Sequence, residues 1–342
     1  MDDLRRGDPT DEVAGLGYAV LGLGWFGAVL ADAVAAAGAG RVVSCFARTP
    51  DTRAAFAERH GCRAANSVEA VLDDPDVDAV LIATPHTTHA DLTVAAAEAG
   101  KHVFVEKPLA LTVADGRRAD AAAERAGVVL QVGHNRRRQP ANRRIKAMID
   151  AGELGTVLQL EGNQSVPGGF RADLPAWRSD PTEVPAGSMT ALGVHVVDTF
   201  LYFAGPMRAV SAFSVRPMLR RPMDEATALI AEFESGALGY VGTSYYTPNV
   251  ATVAVHGTEA SAWNEQDGEM LFVQRRGERA RTPVDTQVLD TISDELREFA
   301  RCIRTGSRPE TGAPEAIEVV AVLQAVVTSV ATGATVKLAD VR

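Results

Sequence analysis

Short apolar runs alternate with alanine-rich segments through the first third of this chain, and few folds accept that order. Tyr18 to Leu21, Val42 to Phe46, Ala79 to Ala83, Val103 to Val105 and Val128 to Val132 read as strands. Helical stretches lie between them: Phe26 to Ala37, Asp51 to His60 with Asp51 near its cap, His86 to Ala99, and Val113 to Ala126. Strands this apolar are buried on both faces, and helical crossovers between them demand parallel pairing. The expected fold class is α/β, with an N-terminal doubly wound parallel sheet of the Rossmann type.

The pattern changes near Gly133. A helix from Arg143 to Ala151 ends at Gly152, a strand runs from Val157 to Glu161, and a Gly- and Pro-rich loop follows from Val166 to Gly187. After a helix from Met189 to Phe203 come alternating runs: Ala209 to Val215, Ala226 to Phe233, Leu238 to Tyr246, Thr252 to His256, Ala260 to Asn264 and Met270 to Gln274. No long helix separates them, which predicts an α+β domain with a large, mostly antiparallel sheet. Leu289 to Arg304 and Ala313 to Ala331 close the chain as helices. With 342 residues, two domains are expected. The division is a disordered tail over residues 1–15, the doubly wound domain over 16–133 and the α+β domain over 134–342.

The formal net charge of −10 argues against non-specific nucleic-acid binding, because nothing neutralises phosphates in bulk. The basic run Arg136-Arg137-Arg138, with Arg143-Arg144, is local and reads as a solvated helix start or a ligand-phosphate contact. Cys45, Cys62 and Cys302 lack paired spacing, so neither a metal site nor a disulfide framework is expected, and a reducing compartment fits. Met1-Asp2-Asp3-Leu4-Arg5-Arg6 carries acid and no apolar core, unlike a secretory signal. No apolar run of about 18 residues stands out, so no membrane span is expected. The expected location is the cytoplasm.

Gly22-Leu23-Gly24-Trp25-Phe26-Gly27 lies between the first strand and the first helix. In such a turn the first glycine allows the tight bend, the second lets backbone approach a pyrophosphate, and the third permits close helix–strand packing. The free N–H groups of the helix amino end complete an anion site. The string alone is weak; with further βα units around it, it predicts dinucleotide binding over a mere tight turn. The second strand ends Phe46-Ala47-Arg48-Thr49. An acid there would hydrogen-bond the adenosine ribose and select NAD. None stands at 47 or 48, and Arg48 suits adenine stacking or a 2′-phosphate. The expected cofactor is NAD or NADP, with these residues favouring NADP; Asp51 turning inward is the opposing reading.

Thr84-Pro85-His86 follows the strand from Ala79 to Ala83, at the carboxyl edge where doubly wound sheets bind ligands. Pro85 shapes the turn. His86 either packs on the cofactor or follows a helix cap made by Thr84 or Thr87, and His89 reads as structural. Lys107 ends the next strand in Val103-Phe104-Val105-Glu106-Lys107-Pro108. A residue before proline is kept out of helical geometry, which turns this lysine toward the crevice; the Lys107–Pro108 bond is a candidate for the cis form. Positive charge on a nicotinamide and partial burial both favour the neutral amine, which suits acid/base use. The plain alternative is a surface lysine paired with Glu106. Further on, His195 and Asp198 are three apart in a helical pattern and share a face. Asp198 is placed to orient the imidazole; a structural histidine is the other reading.

Together these residues resemble the glucose–fructose oxidoreductase, inositol dehydrogenase and MocA (GFO/IDH/MocA) family of NAD(P)-dependent oxidoreductases. The likeness runs from about Tyr18 to Leu338. It rests on the Gly22 turn, Ala83-Thr84-Pro85-His86, Gly100-Lys101-His102-Val103 and Glu106-Lys107-Pro108, then on His134-Asn135-Arg136-Arg137, Gly152-Glu153-Leu154-Gly155, Trp177-Arg178 and Gly193-Val194-His195-Val196-Val197-Asp198. The resemblance implies a Rossmann domain followed by a sheet domain whose face makes dimer or tetramer contacts. It implies that Lys107 binds substrate and assists proton transfer, and that His195 is the acid/base at the substrate hydroxyl. Trp25, Phe26 and Glu106 then join Gly22, Gly24, Gly27, Arg48, Thr84, Pro85, His86 and Lys107 at the cofactor. Asn135, Trp177, Arg178 and Thr190 join Lys107 and His195 at the substrate.

One departure stands out. Many sugar and polyol dehydrogenases of the family carry an aspartate four residues before the histidine, where this chain has Ala191. At helical pitch an i, i+4 pair faces one pocket, so a carboxylate is missing beside His195. Ser188 or Thr190 would supply a neutral contact instead, or Asp173 or Asp180 would enter from the loop. The expected function is hydride transfer between nicotinamide and a hydroxyl or carbonyl carbon of a sugar, polyol or related small molecule. The alternatives are a dinucleotide-dependent lyase or glycosidase using transient oxidation, and a non-catalytic dinucleotide sensor. No metal is expected.

Overall fold

The computed structural model describes residues 15–342, so the tail expected over residues 1–15 lies, Gly15 apart, outside the described residues. The described chain forms two compact units. One comprises the residues up to Leu109, Arg117–Gly133 and Asp290–Ala313; the other comprises Ala110–Gly116, His134–Leu289 and Pro314–Arg342.

The first unit is built on β1 (Gly17–Leu21), β2 (Arg41–Phe46), β3 (Arg63–Ala64), β4 (Ala79–Ile82), β5 (His102–Glu106) and β6 (Leu130–Gly133). They pair in parallel in the order β3-β2-β1-β4-β5-β6. The connections carry α1 (Trp25–Ala36), α2 (Pro50–His60), α3 (Val68–Leu72), α4 (His89–Glu98) and α5 (Val113–Ala126). All residues of β1 and β4 are buried, as their unbroken apolar runs require. The strand order reverses between β1 and β4, the switch point at which such sheets bind ligands. β3 and α3 have two and five residues, too short to leave a periodic signal in sequence.

The second unit holds α6 (Pro140–Asp150), β7 (Val157–Ser165), α7 (Val194–Ala204), β8 (Met207–Val215), β9 (Ala226–Phe233), β10 (Leu238–Ser244), β11 (Val250–Gly257), β12 (Ala260–Glu265), β13 (Met270–Arg275) and β14 (Thr282–Val284). With β15 (Val336–Lys337) the strands form a nine-stranded sheet ordered β14-β13-β12-β11-β7-β10-β9-β8-β15. Only the β7–β10 pair in it is parallel. α7 packs on β7 at Gly162, where a Cβ would sit 2.2 Å from Val196 Cγ1, so glycine is what lets the helix lie so close. Alternation leaves Phe213, Ile230, Leu238 and Tyr240 exposed.

Two helices follow, α8 (Thr291–Thr305) and α9 (Ala313–Thr332). α9 qualifies the expectation about membrane spans, since by length and composition it is apolar enough to cross a bilayer; half of that stretch is buried inside the protein. α8 corrects the expected boundary. Sequence order groups it with residues 134–342, whereas residues 290–313 belong to the first unit. Asp290 caps it by accepting from the N–H groups of Ile292 and Ser293. Its apolar side places Leu296, Phe299 and Ala300 in one core with Tyr18, Leu30, Val34 and Phe104. The Phe299 ring lies 5.9 Å from that of Phe104 and 6.4 Å from that of Tyr18. Sequence order cannot show which of two sheets an amphipathic helix covers. Phe299→Ala should destabilise the protein by about 3–5 kcal/mol, read as a lowered midpoint in urea denaturation.

Candidate active site

At the switch point the three glycines of the first turn do different things. Gly22 has φ +92°, and a Cβ on it would lie 2.6 Å from the carbonyl of Ala83 and 2.8 Å from Thr84 N. The β1–α1 turn therefore touches the end of β4 backbone to backbone. A Cβ on Gly27 would come within 2.1 Å of Gly22 O, so this glycine closes the helix onto its own strand. A Cβ on Gly24 would meet nothing within 4 Å, and Gly24 caps α1 without a side-chain hydrogen bond. The amino end of α1 thus offers bare N–H groups beside open backbone, which fits a dinucleotide pyrophosphate. Trp25 is exposed at the start of α1, while Phe26 packs against the core.

At the end of β2, Arg48 is exposed and Asp51 lies in the first turn of α2. Arg53, not singled out from sequence, buttresses this bend. Its Nη1 donates to Ala47 O at 2.7 Å and Arg48 O at 3.3 Å, and its guanidinium lies over the Phe46 ring.

His86 and His89 are both buried, with their rings edge to face. Thr88 Oγ1 lies 2.7 Å from both Pro85 O and Thr84 Oγ1 and closes the turn. His89 has a definite task. Its Nδ1 lies 2.8 Å from Pro108 O and its Nε2 2.9 Å from Thr84 O. The ring ties the turn after β4 to the turn after β5, the one that carries Lys107. The Lys107–Pro108 bond is cis. Glu106 is buried; a Cβ on Gly133 would stand 2.6 Å from its Oε1.

In the second unit Asp198, expected to orient His195, is held by Arg137. It is 1% exposed and receives Arg137 through two atoms, Nε at 2.9 Å from both carboxylate oxygens and Nη2 at 2.7 Å from Oδ1. His134 Nδ1 is 3.8 Å from the same carboxylate. A buried guanidinium needs a carboxylate, and Arg137 has taken this one. His195 instead lines a polar recess with Arg136, Gln139, Asn142, Gln164 and Asn264. Burial pulls the Arg136 guanidinium down to about 10, which leaves it charged near neutrality.

The geometry before His195 also departs from expectation. Met189–Gly193 is a π-helical turn in which Val194 N–H bonds Met189 O, so the i, i+4 argument from α pitch does not apply. Ala191 packs in an apolar cluster with Val184, Met223 and Tyr245. Thr190 Oγ1 accepts from Ala186 N–H, and the Ser188 hydroxyl is bonded to that of Thr243. Neither lines the recess. Asp173 is exposed and paired with Arg171, and Asp180 binds Thr182. Asn135 opens a short 3-10 turn ahead of α6. Arg178 stacks on Trp177 at 4.5 Å, and burial pushes the hydroxyl of Tyr245 above its ordinary range. Among the described residues no group of three or more His, Cys, Asp or Glu is arranged to hold a metal.

Comparison with known proteins matches this geometry to a family. Residues 16–134 match the model of the oxidoreductase family with an NAD-binding Rossmann fold, and residues 142–263 match the GFO/IDH/MocA C-terminal domain. The chain belongs to the GFO/IDH/MocA family and is an NAD(P)-dependent oxidoreductase of the dehydrogenase/reductase type. It is 34% identical to a 1,5-anhydro-D-fructose reductase of Ensifer adhaerens over 65% of this chain and 67% of that one. It is 32% identical to the NAD(+)-dependent scyllo-inositol 2-dehydrogenase of Bacillus subtilis over 70% and 71%. A solved structure from Desulfitobacterium hafniense DCB-2, provisionally described as an NADPH-dependent oxidoreductase, superposes with a TM-score of 0.90 at 31% identity, covering 95% of this chain and 98% of that one.

Gly22→Ala should weaken dinucleotide binding at least about tenfold and destabilise the fold by about 1–3 kcal/mol, because its φ and its backbone neighbours both exclude a Cβ; dinucleotide titration and thermal melting read the two effects. Asp198→Ala should cost about 3–5 kcal/mol by leaving the Arg137 charge buried and unpaired, which chemical denaturation would register.

Proposed function

We propose that this enzyme transfers hydride between a nicotinamide and a hydroxyl or carbonyl carbon of a sugar, polyol or related small molecule. The observation that carries the reading is the Gly22 contact at the sheet switch point, in the same sheet whose β5 leads directly into Lys107. The names of the relatives, which act on an anhydro sugar and an inositol, support the substrate class. Gly22 to Gly27, Arg48 and Thr84 to His86 would hold the dinucleotide. When bound, the nicotinamide supplies the carbon that accepts or returns hydride. Lys107 hydrogen-bonds the substrate oxygen and His195 takes its proton during oxidation. Asn135, Trp177 and Arg178 contribute to substrate binding. The absence of an acid at 47 and 48, with Arg48 exposed there, favours NADP. The exposed apolar residues on the nine-stranded sheet favour a homo-dimer or homo-tetramer, and a cytoplasmic location accords with the composition.

Lys107→Met and His195→Ala should each lower kcat by about two to four orders of magnitude, with dinucleotide affinity nearly unchanged. Stopped-flow absorbance at the reduced-nicotinamide band, alongside fluorescence titration of the dinucleotide, makes the measurement. Full turnover in either variant would remove that residue from the chemistry.

A further inference from the structure

The recess beside His195 has room for about one water-sized group. Its hydrogen-bond directions can be followed from one end. Asp267, being a carboxylate, only accepts, and both its Oδ1 and its backbone O take protons from Gln139 Nε2, each at 2.8 Å. That turns Gln139 Oε1 inward, where it accepts from Asn142 Nδ2 at 3.1 Å and Asn264 Nδ2 at 2.9 Å. Asn142 Nδ2 also donates to Arg136 O at 2.8 Å, so its Oδ1 is left to accept the second proton of Asn264, at 2.8 Å. Both N–H bonds of Asn264 are consumed and its amide orientation is settled. The consequence is a buried acceptor: Asn264 is 3% exposed, and its Oδ1 has no partner in the protein. Arg136 Nε is a buried donor likewise without a partner.

The two orphan atoms define what belongs there. The Arg136 guanidinium already pairs with Asp267, so the recess carries no spare positive charge for an anion. An anion would also face the lone pairs of Asn264 Oδ1, and an ammonium would face the guanidinium. A methylene would leave donor and acceptor both unpaired, at a penalty for each. A neutral hydroxyl satisfies both, accepting from Arg136 Nε–H while donating to Asn264 Oδ1. We infer that this recess is a subsite for a single substrate hydroxyl next to His195, with Asn264 and Arg136 as its specificity-determining residues and Asp267 as the positioning residue that sets their orientation. The inference rests on the reading of His195 as the acid/base. The hairpin turn supports it: Gln266 and Asp267 adopt φ of 52° and 61°, a costly conformation for non-glycine residues, and this turn carries the Asp267 carboxylate.

The direct test is crystallographic. Crystals of the wild-type protein soaked in glycerol, D-xylose and scyllo-inositol should show a ligand hydroxyl within hydrogen-bond distance of both Asn264 Oδ1 and Arg136 Nε. A water that stays in the recess in every soak would overturn the inference. The kinetic test compares D-xylose with each of its monodeoxy analogues in the wild type, in Asn264→Leu and in Arg136→Lys. The lysine keeps a charge for Asp267 but lacks the Nε–H, so it serves should the leucine variant fail to fold. Each variant should raise KM for the full sugar at least about tenfold with kcat within about twofold, and one deoxy analogue should no longer distinguish the variants from the wild type. Equal losses on the sugar and on every analogue would count against the subsite. Failure of any compound to reduce NAD or NADP would sink the hydride-transfer reading instead, and the soaks would still decide the subsite.

Discussion

The contact on which the first unit depends is the approach of Gly22 to the backbone of Ala83 and Thr84. It joins the two strand ends on either side of the reversal in strand order. Because no side chain fits between them, the turn stays low and the amino end of α1 opens onto clear space at Gly24. His89 extends the same arrangement by one strand. By meeting Thr84 O with one nitrogen and Pro108 O with the other, it fixes the loop that follows Lys107 against the loop that follows β4. The glycine turn and the loop that follows Lys107 are thus held by contacts to backbone atoms that tolerate little substitution.

The second unit solves a different problem, that of pairing guanidinium groups drawn into the protein. Arg137 and Asp198 neutralise each other almost fully buried, and Arg136 is matched by Asp267. These pairings occupy the carboxylate that looked available to His195. They leave around His195 a set of neutral amides whose directions are dictated by one acid. Where the family commonly places a carboxylate, Ala191 belongs to an apolar cluster and the chain is wound as a π turn. The recess beside His195 is therefore lined by amides and a compensated guanidinium, a lining that favours hydroxyls over ions.

Much of this was legible in the amino-acid order. The five main strands of the parallel sheet, its glycine turn and the switch to alternating runs near Gly133 all rest on local periodicity, and local periodicity survives folding. Long-range partners were not legible. Asp198 sits three residues from His195 in sequence, yet its partner is Arg137, 61 positions away. Arg53, Asn142, Asn264 and Asp267 carry no motif, and their importance appears only when their hydrogen bonds are traced. The i, i+4 relation of Ala191 and His195 presumes α pitch, and a π turn is invisible to a periodicity of four.

The sequence by itself determined the fold class, the family and the positions of Lys107 and His195, since these follow from residue type and short-range spacing. Only the tertiary structure decided where α8 lies, which acid serves which base and which polar atoms are left over. An amphipathic helix can cover any apolar surface of the right shape, and a buried charge pairs with the nearest opposite charge in space. Both choices are made by packing, in which neighbours along the chain have no special standing.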